Sequence, residues 1–191
     1  MSYNYLKRTP TADGNRRTFT FSCWFKRNAT GSGQDQGIFC AGLAGDANNR
    51  TTMSASQEDR YSHQLEVANT RDIQVANHEL ARDTAAWQHL VWSWDTSRTD
   101  RKRVEFYQNG VLIDDYDTDN TMVADEEGFI NHAGTPHQIG KFPWAADTDS
   151  TLGSATDAGW ADYQMFDAYL VDGQDLTPDV FAYSKEGSGV I

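Results

Sequence analysis

Between Arg17 and Lys26 the sequence alternates without a break. Phe19, Phe21, Cys23 and Phe25 share one parity, and Thr18, Thr20, Ser22, Trp24 and Lys26 share the other. A period of two gives one apolar and one polar face only in an extended strand; on a helix the same residues would scatter around the circumference. A strand of this length has to lay its apolar face on a core, which commits the chain to layered β-structure.

Other segments repeat the signal. Gly37 to Gly42 is a short apolar run bounded by glycine. Tyr61 to Ala68 places Tyr61, His63, Leu65 and Val67 on one face, and Gln88 to Asp95 gathers Leu90, Trp92 and Trp94. Asn109-Gly110 joins Arg103–Gln108 to Val111–Tyr116, and this dipeptide tolerates the positive φ angles of a type I′ hairpin turn. His137 to Gly140 and Asp162 to Val171 also read as strands. Thr177-Pro178-Asp179 supplies a helix start, with a hydroxyl cap, proline in the first turn and an acid beside it, so a short helix is predicted over Pro178 to Ser184. Many strands, one late helix and no alternating βα rhythm specify an all-β fold, an antiparallel β-sandwich. With no internal repeat and no Pro/Gly linker, residues 1–191 read as a single domain.

Charge narrows the partners. Sixteen Lys and Arg against 28 Asp and Glu give a formal net charge of −12. That balance argues against nucleic acid and against anionic membrane surfaces as general partners. No apolar run approaches the length of a membrane span, and MSYNYLKRTP lacks the apolar core of a secretory signal. Cys23 and Cys40 are too few for a disulfide framework or a four-cysteine zinc site, and the strands that carry them point to two buried thiols.

Catalytic motifs fail on inspection. His78-Glu79-Leu80-Ala81-Arg82 begins like the HExxH zinc helix but has arginine where the second imidazole belongs. Gly31-Ser32-Gly33 with Gly37 misses the GxGxxG spacing and reads as a loop. No GxSxG elbow occurs. The sandwich glycanase array ExDxxE, which aims alternate carboxylates into one cleft, is missing, and Glu126-Glu127 and Asp114-Asp115 are adjacent pairs that a strand would point in opposite directions. The chain reads as no enzyme and requires no cofactor. His132 and His137 are five apart in a Gly/Pro loop without further ligands and read as loop residues.

Three groups remain as candidates for binding. Asp147, Asp149 and Asp157 stand in a loop rich in Asp, Ser, Thr and Gly, and hard oxygen ligands of this kind suit Ca²⁺, although no EF-hand spacing is present and a solvated acidic rim is the alternative. Trp144 and Trp160 flank the same loop; such a pair either stacks on a sugar ring as a glycan-binding site or closes the end of the core. Lys7, Arg8, Arg16 and Arg17 form a basic N-terminal segment on an acidic chain and could steer attachment to an acidic partner.

Three stretches carry a family resemblance: Tyr5-Leu6-Lys7-Arg8-Thr9-Pro10 through Gly14-Asn15-Arg16-Arg17 into the first long strand; Arg82-Asp83-Thr84-Ala85-Ala86-Trp87-Gln88-His89-Leu90-Val91 with the Tyr107-Gln108-Asn109-Gly110 hairpin; and Ile139-Gly140-Lys141 with Tyr169-Leu170-Val171-Asp172-Gly173-Gln174-Asp175-Leu176-Thr177-Pro178. Together the chain resembles the concanavalin A-like, laminin G-type jelly-roll modules, and among them those of tailed and marine bacteriophage structural proteins. The resemblance implies a jelly-roll sandwich and a non-enzymatic virion surface protein: a capsid decoration protein, a head fibre or a tail accessory module. Such a protein is assembled in the host cytoplasm, has capsid or tail proteins as partners and can form a homo-oligomer. The alternative is a carbohydrate-binding module that attaches to host or environmental glycans. The family contains both kinds, so resemblance does not choose between them.

Overall fold

The computed structural model describes residues 5–30, 35–43, 46, 48–78, 80–99, 103–120, 124–142 and 162–182. Twelve strands follow in order: β1 (Leu6–Arg8), β2 (Thr18–Arg27), β3 (Gln36–Gly42), β4 (Arg50–Ala55), β5 (Tyr61–Val67), β6 (Thr70–Asn77), β7 (Gln88–Asp95), β8 (Val104–Gln108), β9 (Val111–Ile113), β10 (Tyr116–Asn120), β11 (His137–Ile139) and β12 (Tyr163–Asp172). They form a seven-stranded sheet, β1-β11-β3-β4-β5-β6-β10, and a five-stranded sheet, β12-β2-β7-β8-β9. Neighbouring strands are antiparallel throughout. This is the expected jelly-roll β-sandwich.

The core lies where the alternation of β2 places it. Phe19, Phe21, Cys23 and Phe25 are all buried on the inner face, beside Leu90, Trp92 and Trp94 of β7 and Phe106 of β8. Phe21 stacks on Phe39 of the other sheet with centroids 4.4 Å apart, and Tyr61 of β5 meets Phe25 and Phe106 at 6.0 and 5.5 Å. These rings hold the two sheets face to face, and truncating any one to alanine would cost about 3–5 kcal/mol. Gly37 serves a close approach, since a Cβ there would lie 2.8 Å from the carbonyl carbon of Lys141.

The hairpin turn forms as expected, with Asn109 and Gly110 at φ 53° and 79°. Its second strand is shorter than the sequence suggests. β9 stops at Ile113, and after Asp114-Asp115 the chain crosses to the other sheet, where β10 pairs with β6. The acid-rich stretch from Tyr116 to Asn120 is thus a strand of its own in the opposite sheet. The expected helix over Pro178 to Ser184 is a 3-10 turn, Pro178–Val180, and Ser184 lies outside the described residues. The cap explains this: the Thr177 hydroxyl donates to the Asp179 carboxylate and makes no hydrogen bond to a free backbone N–H. Cys23 and Cys40 are buried free thiols, and burial pushes both well above the usual thiol range.

One buried core residue titrates near neutral pH in the unfolded chain. His63 points inward from β5 against Trp94, ring centroids 6.0 Å apart, and its Nε2 has no hydrogen-bond partner. Burial lowers its pKa to about 3 from an ordinary 6.5. Between these values the unfolded chain binds the proton and the folded chain does not, so stability falls as pH drops below 6.5. We expect about 2 kcal/mol to be lost at this residue between pH 7 and 5. Burial also lowers the pKa of His89 and His137, which adds to the slope. Urea midpoints at the two pH values should converge in His63→Leu relative to the native chain; an unchanged difference would show that His63 is not the group that titrates.

Candidate functional site

The outward face of the five-stranded sheet is divided in two. One part is covered by the chain after β12. Thr20 Oγ1 donates to Gln174 O at 2.8 Å and accepts from Leu176 N at 2.9 Å. Asp175 accepts from Ser93 and Arg98, and Phe181 stacks on Tyr169 with centroids 6.1 Å apart. This strap accounts for the burial of Thr20 and Ser93 on what the sequence alone marks as a solvent face.

The other part is open and aromatic. Cross-strand register places Phe166 of β12 opposite Trp24 of β2, and Trp24 opposite His89 of β7. Trp24 and Phe166 are parallel within 3°, with centroids 5.7 Å apart. Trp87, one residue before β7, stands edge-on to Phe166 at 4.7 Å and 80°. The loop that carries it is shaped by Asp83, which accepts from the amides of Ala85 and Ala86 at 2.8 and 3.1 Å. Trp87 and Phe166 remain 37% and 43% exposed, in contrast to Trp92 and Trp94 in the core. Clustered apolar rings left this open form a surface suited to contact with a ligand or partner.

Polar groups border the rings. Gln164 Nε2 donates to Asn28 Oδ1 at 3.1 Å, and Asn28 Nδ2 donates to Asp162 Oδ1 at 2.7 Å. Asn109 Oδ1 accepts from the His89 amide at 2.9 Å. His89 lies tilted against Trp24 at 5.1 Å, with Nε2 2.9 Å from Ser22 Oγ and a buried Nδ1 that has no partner. Burial lowers its pKa, so the ring is neutral at pH 7. The described surface combines flat apolar faces with amides and a carboxylate, groups that can stack on a ligand and hydrogen-bond to it.

A second concavity, a slot of about 490 Å³, opens between the sheets beside β12. Phe21, Phe39, Ile139 and Leu170 line it together with Asp13 and Asn131.

The residues singled out from sequence distribute as follows. Trp144, Trp160, Asp147, Asp149 and Asp157 lie outside the described residues. Among the described residues no group of three or more His, Cys, Asp or Glu is arranged to hold a metal ion. The basic segment is divided. Lys7 and Arg8 are exposed on β1 and line the slot, whereas Arg16 and Arg17 are tied down elsewhere. Arg16 donates to Gly128 O at 2.9 Å and pairs with Glu127 at 2.9 Å; Arg17 pairs with Glu127 at 3.4 Å and Asp125 at 3.8 Å. His132 lies in a turn, with Nδ1 2.5 Å from Thr135 Oγ1, whereas His137 is not the loop residue expected but the first residue of β11, where it accepts from Asn131 N at 2.8 Å and donates to Thr135 O at 2.9 Å. Arg82, in the place of the missing zinc ligand, pairs with Asp59 at 3.1 Å.

None of Trp24, Trp87 and Phe166 stands among the binding candidates that the sequence offers. One signal was available: Trp24 occupies the outward parity of β2, among Thr, Ser and Lys, where a large ring is out of place.

The family model described as the concanavalin A-like lectin/glucanases superfamily, laminin G type, matches residues 1–168, and the chain belongs to that superfamily. No curated protein sequence matches the chain. Among solved structures it is similar to the heptameric SAP-like pentraxin of Limulus polyphemus, with 18% identity, TM-score 0.58, and 92% of this chain covering 72% of the other. The carbohydrate-binding module CBM40 of the Ruminococcus gnavus IT-sialidase, bound to α2,3-sialyllactose, is similar at 11% identity and TM-score 0.56, with 92% and 96% covered. Domains LG4-5 of the mouse laminin α1 chain are similar at 13% identity and TM-score 0.57, with 93% and 41% covered. These likenesses concern the fold.

Proposed function

We propose that this member of the concanavalin A-like superfamily is a non-enzymatic surface protein of a phage particle, and that it holds carbohydrate against Trp24, Trp87 and Phe166. The observation that carries the carbohydrate reading is the ring set, with Trp87 and Phe166 exposed and Trp24 half-buried beside them, bordered by Asn28, Asn109, Asp162 and Gln164. A pyranose ring presents an apolar C–H face and an equatorial fringe of hydroxyls, and this surface offers a partner for each. That a sialidase module of the same fold is bound to sialyllactose agrees with the reading.

An array of glycans followed by calorimetry on the binders tests it. The native chain should bind at least one glycan without releasing reducing sugar. Trp87→Ala and Phe166→Ala should each weaken binding about tenfold or more while keeping the native circular dichroism, since each removes a stacking face of about 1–2 kcal/mol from an open site. Undiminished binding by both variants, or hydrolysis of the bound glycan, would contradict the proposal.

The phage context rests on the three sequence stretches that resemble virion modules and on the lack of the glycanase array. Mass spectrometry of purified virions from the source should find the protein in multiple copies; its absence would remove the role.

Calcium in the loop of Asp147, Asp149 and Asp157 remains our proposal on ligand chemistry alone. If it binds, the melting temperature should rise with Ca²⁺ concentration over that in EDTA. Equal melting in both would dismiss it.

A further inference from the structure

β12 is the outermost strand of the five-stranded sheet. β2 pairs with one of its edges, and no described residue pairs with the other. An open edge ten residues long is a template for one more strand. This one also exposes Phe166, Tyr169 and Leu170. Alongside it runs the slot, with Phe21 and Phe39 among its lining residues and Ala168, Leu170 and Asp172 on its β12 side. A strand added here would gain main-chain hydrogen bonds from β12 and apolar space for every second side chain.

Charge decides which strand fits. Asp162, Asp167 and Asp172 recur every five residues along this edge. In a full-overlap antiparallel pairing of two copies, Asp162 would stand opposite Asp172, and Asp167 opposite its own copy. Like charges placed directly across a ladder are repulsive. The ladder to β2 is also broken between Phe166 and Tyr169, where Asp167 has φ 47°. A bulge and repeated acids keep like edges apart. The same acids attract a basic strand. Asp162 accepts at Oδ1 from Asn28, which leaves its Oδ2 for an incoming cation, while Asp172 accepts at Oδ1 from Asn15 and Asn131 with its Oδ2 against Gly14 and adds its negative charge to that end of the edge. Lys7 and Arg8 on the β1 side of the slot would turn such a strand toward β12.

We propose that the open edge of β12 docks an extended segment of a different protein, basic at its ends and middle and apolar at alternate positions between. The segment adds as a further antiparallel strand and sets its apolar side chains into the slot against Phe21 and Phe39. This is a protein-binding surface separate from the ring set on the sheet face, and it is suited to anchoring the module on a larger assembly.

The test uses the whole chain and a synthetic ten-residue peptide of alternating valine and threonine with lysine at both ends and in the middle. Two control peptides carry glutamate in place of lysine, or N-methyl groups on alternate amides. Calorimetry should show binding of the lysine peptide and at least tenfold weaker binding of both controls. Leu170→Lys, at a 39% exposed position, should weaken binding by a similar factor. Independently of that variant's fold, the lysine peptide should slow hydrogen exchange of β12 amides in the native chain. Equal binding of the N-methylated peptide, preference for the glutamate peptide, no binding of any peptide, or self-association that protects β12 in the chain alone would each overturn the proposal.

Discussion

Phe21 of the five-stranded sheet lies on Phe39 of the seven-stranded sheet with ring centroids 4.4 Å apart, and this contact is one of a row set by β2. Because β2 alternates over its length, Phe19, Phe21, Cys23 and Phe25 all reach the core and every other residue must face outward. A slip of one residue would bury Trp24 and Lys26 and expose three phenylalanines. The register of β12 on one side and β7 on the other is therefore inherited from β2. That register in turn aligns Phe166, Trp24 and His89 in a single row on the outer face. The strand that builds the core also builds the site.

The outer face need not have been available. Most of it carries hydroxyls that the strap after β12 covers and satisfies, through Thr20, Ser93, Arg98 and Asp175. The strap returns to Tyr169, where Phe181 stacks, and Phe166 and Trp87 beyond it stay exposed. A concealed polar half and an open aromatic half on one sheet give the molecule a defined contact surface. The second opening, the slot beside β12, exists because two edge strands in different sheets, β1 and β12, do not close over the core between them.

Strands that bury one face were legible in the sequence. β2, β5 and β7 fall where alternation places them, and Asn109-Gly110 marks its turn. β4 was not legible for the opposite reason. All six of its residues are buried, yet they read Arg-Thr-Thr-Met-Ser-Ala, because its outward side is occupied by an Arg50–Glu66 pair at 2.7 Å and a Ser54–Ser62 hydrogen bond at 2.8 Å. Polar residues satisfied by cross-strand partners erase the hydrophobic period. β10 was hidden by its acids, whose composition suits a loop as well as an edge strand. The basic N-terminal segment looked like one patch, but Arg16 and Arg17 find Asp125 and Glu127 more than a hundred residues away, a pairing that only the tertiary fold brings about. The ring set was missed because Trp87 and Phe166 are remote in sequence and meet only through the pairing of β12 with β2.

The most direct test of the carbohydrate-binding account is a titration of the bound glycan followed through the indole N–H resonances of the six tryptophans. The account predicts that the signals of Trp24 and Trp87 shift progressively, while those of the buried Trp92 and Trp94 stay in place. Shifts confined to Trp144 and Trp160, with Trp24 and Trp87 unmoved, would contradict it.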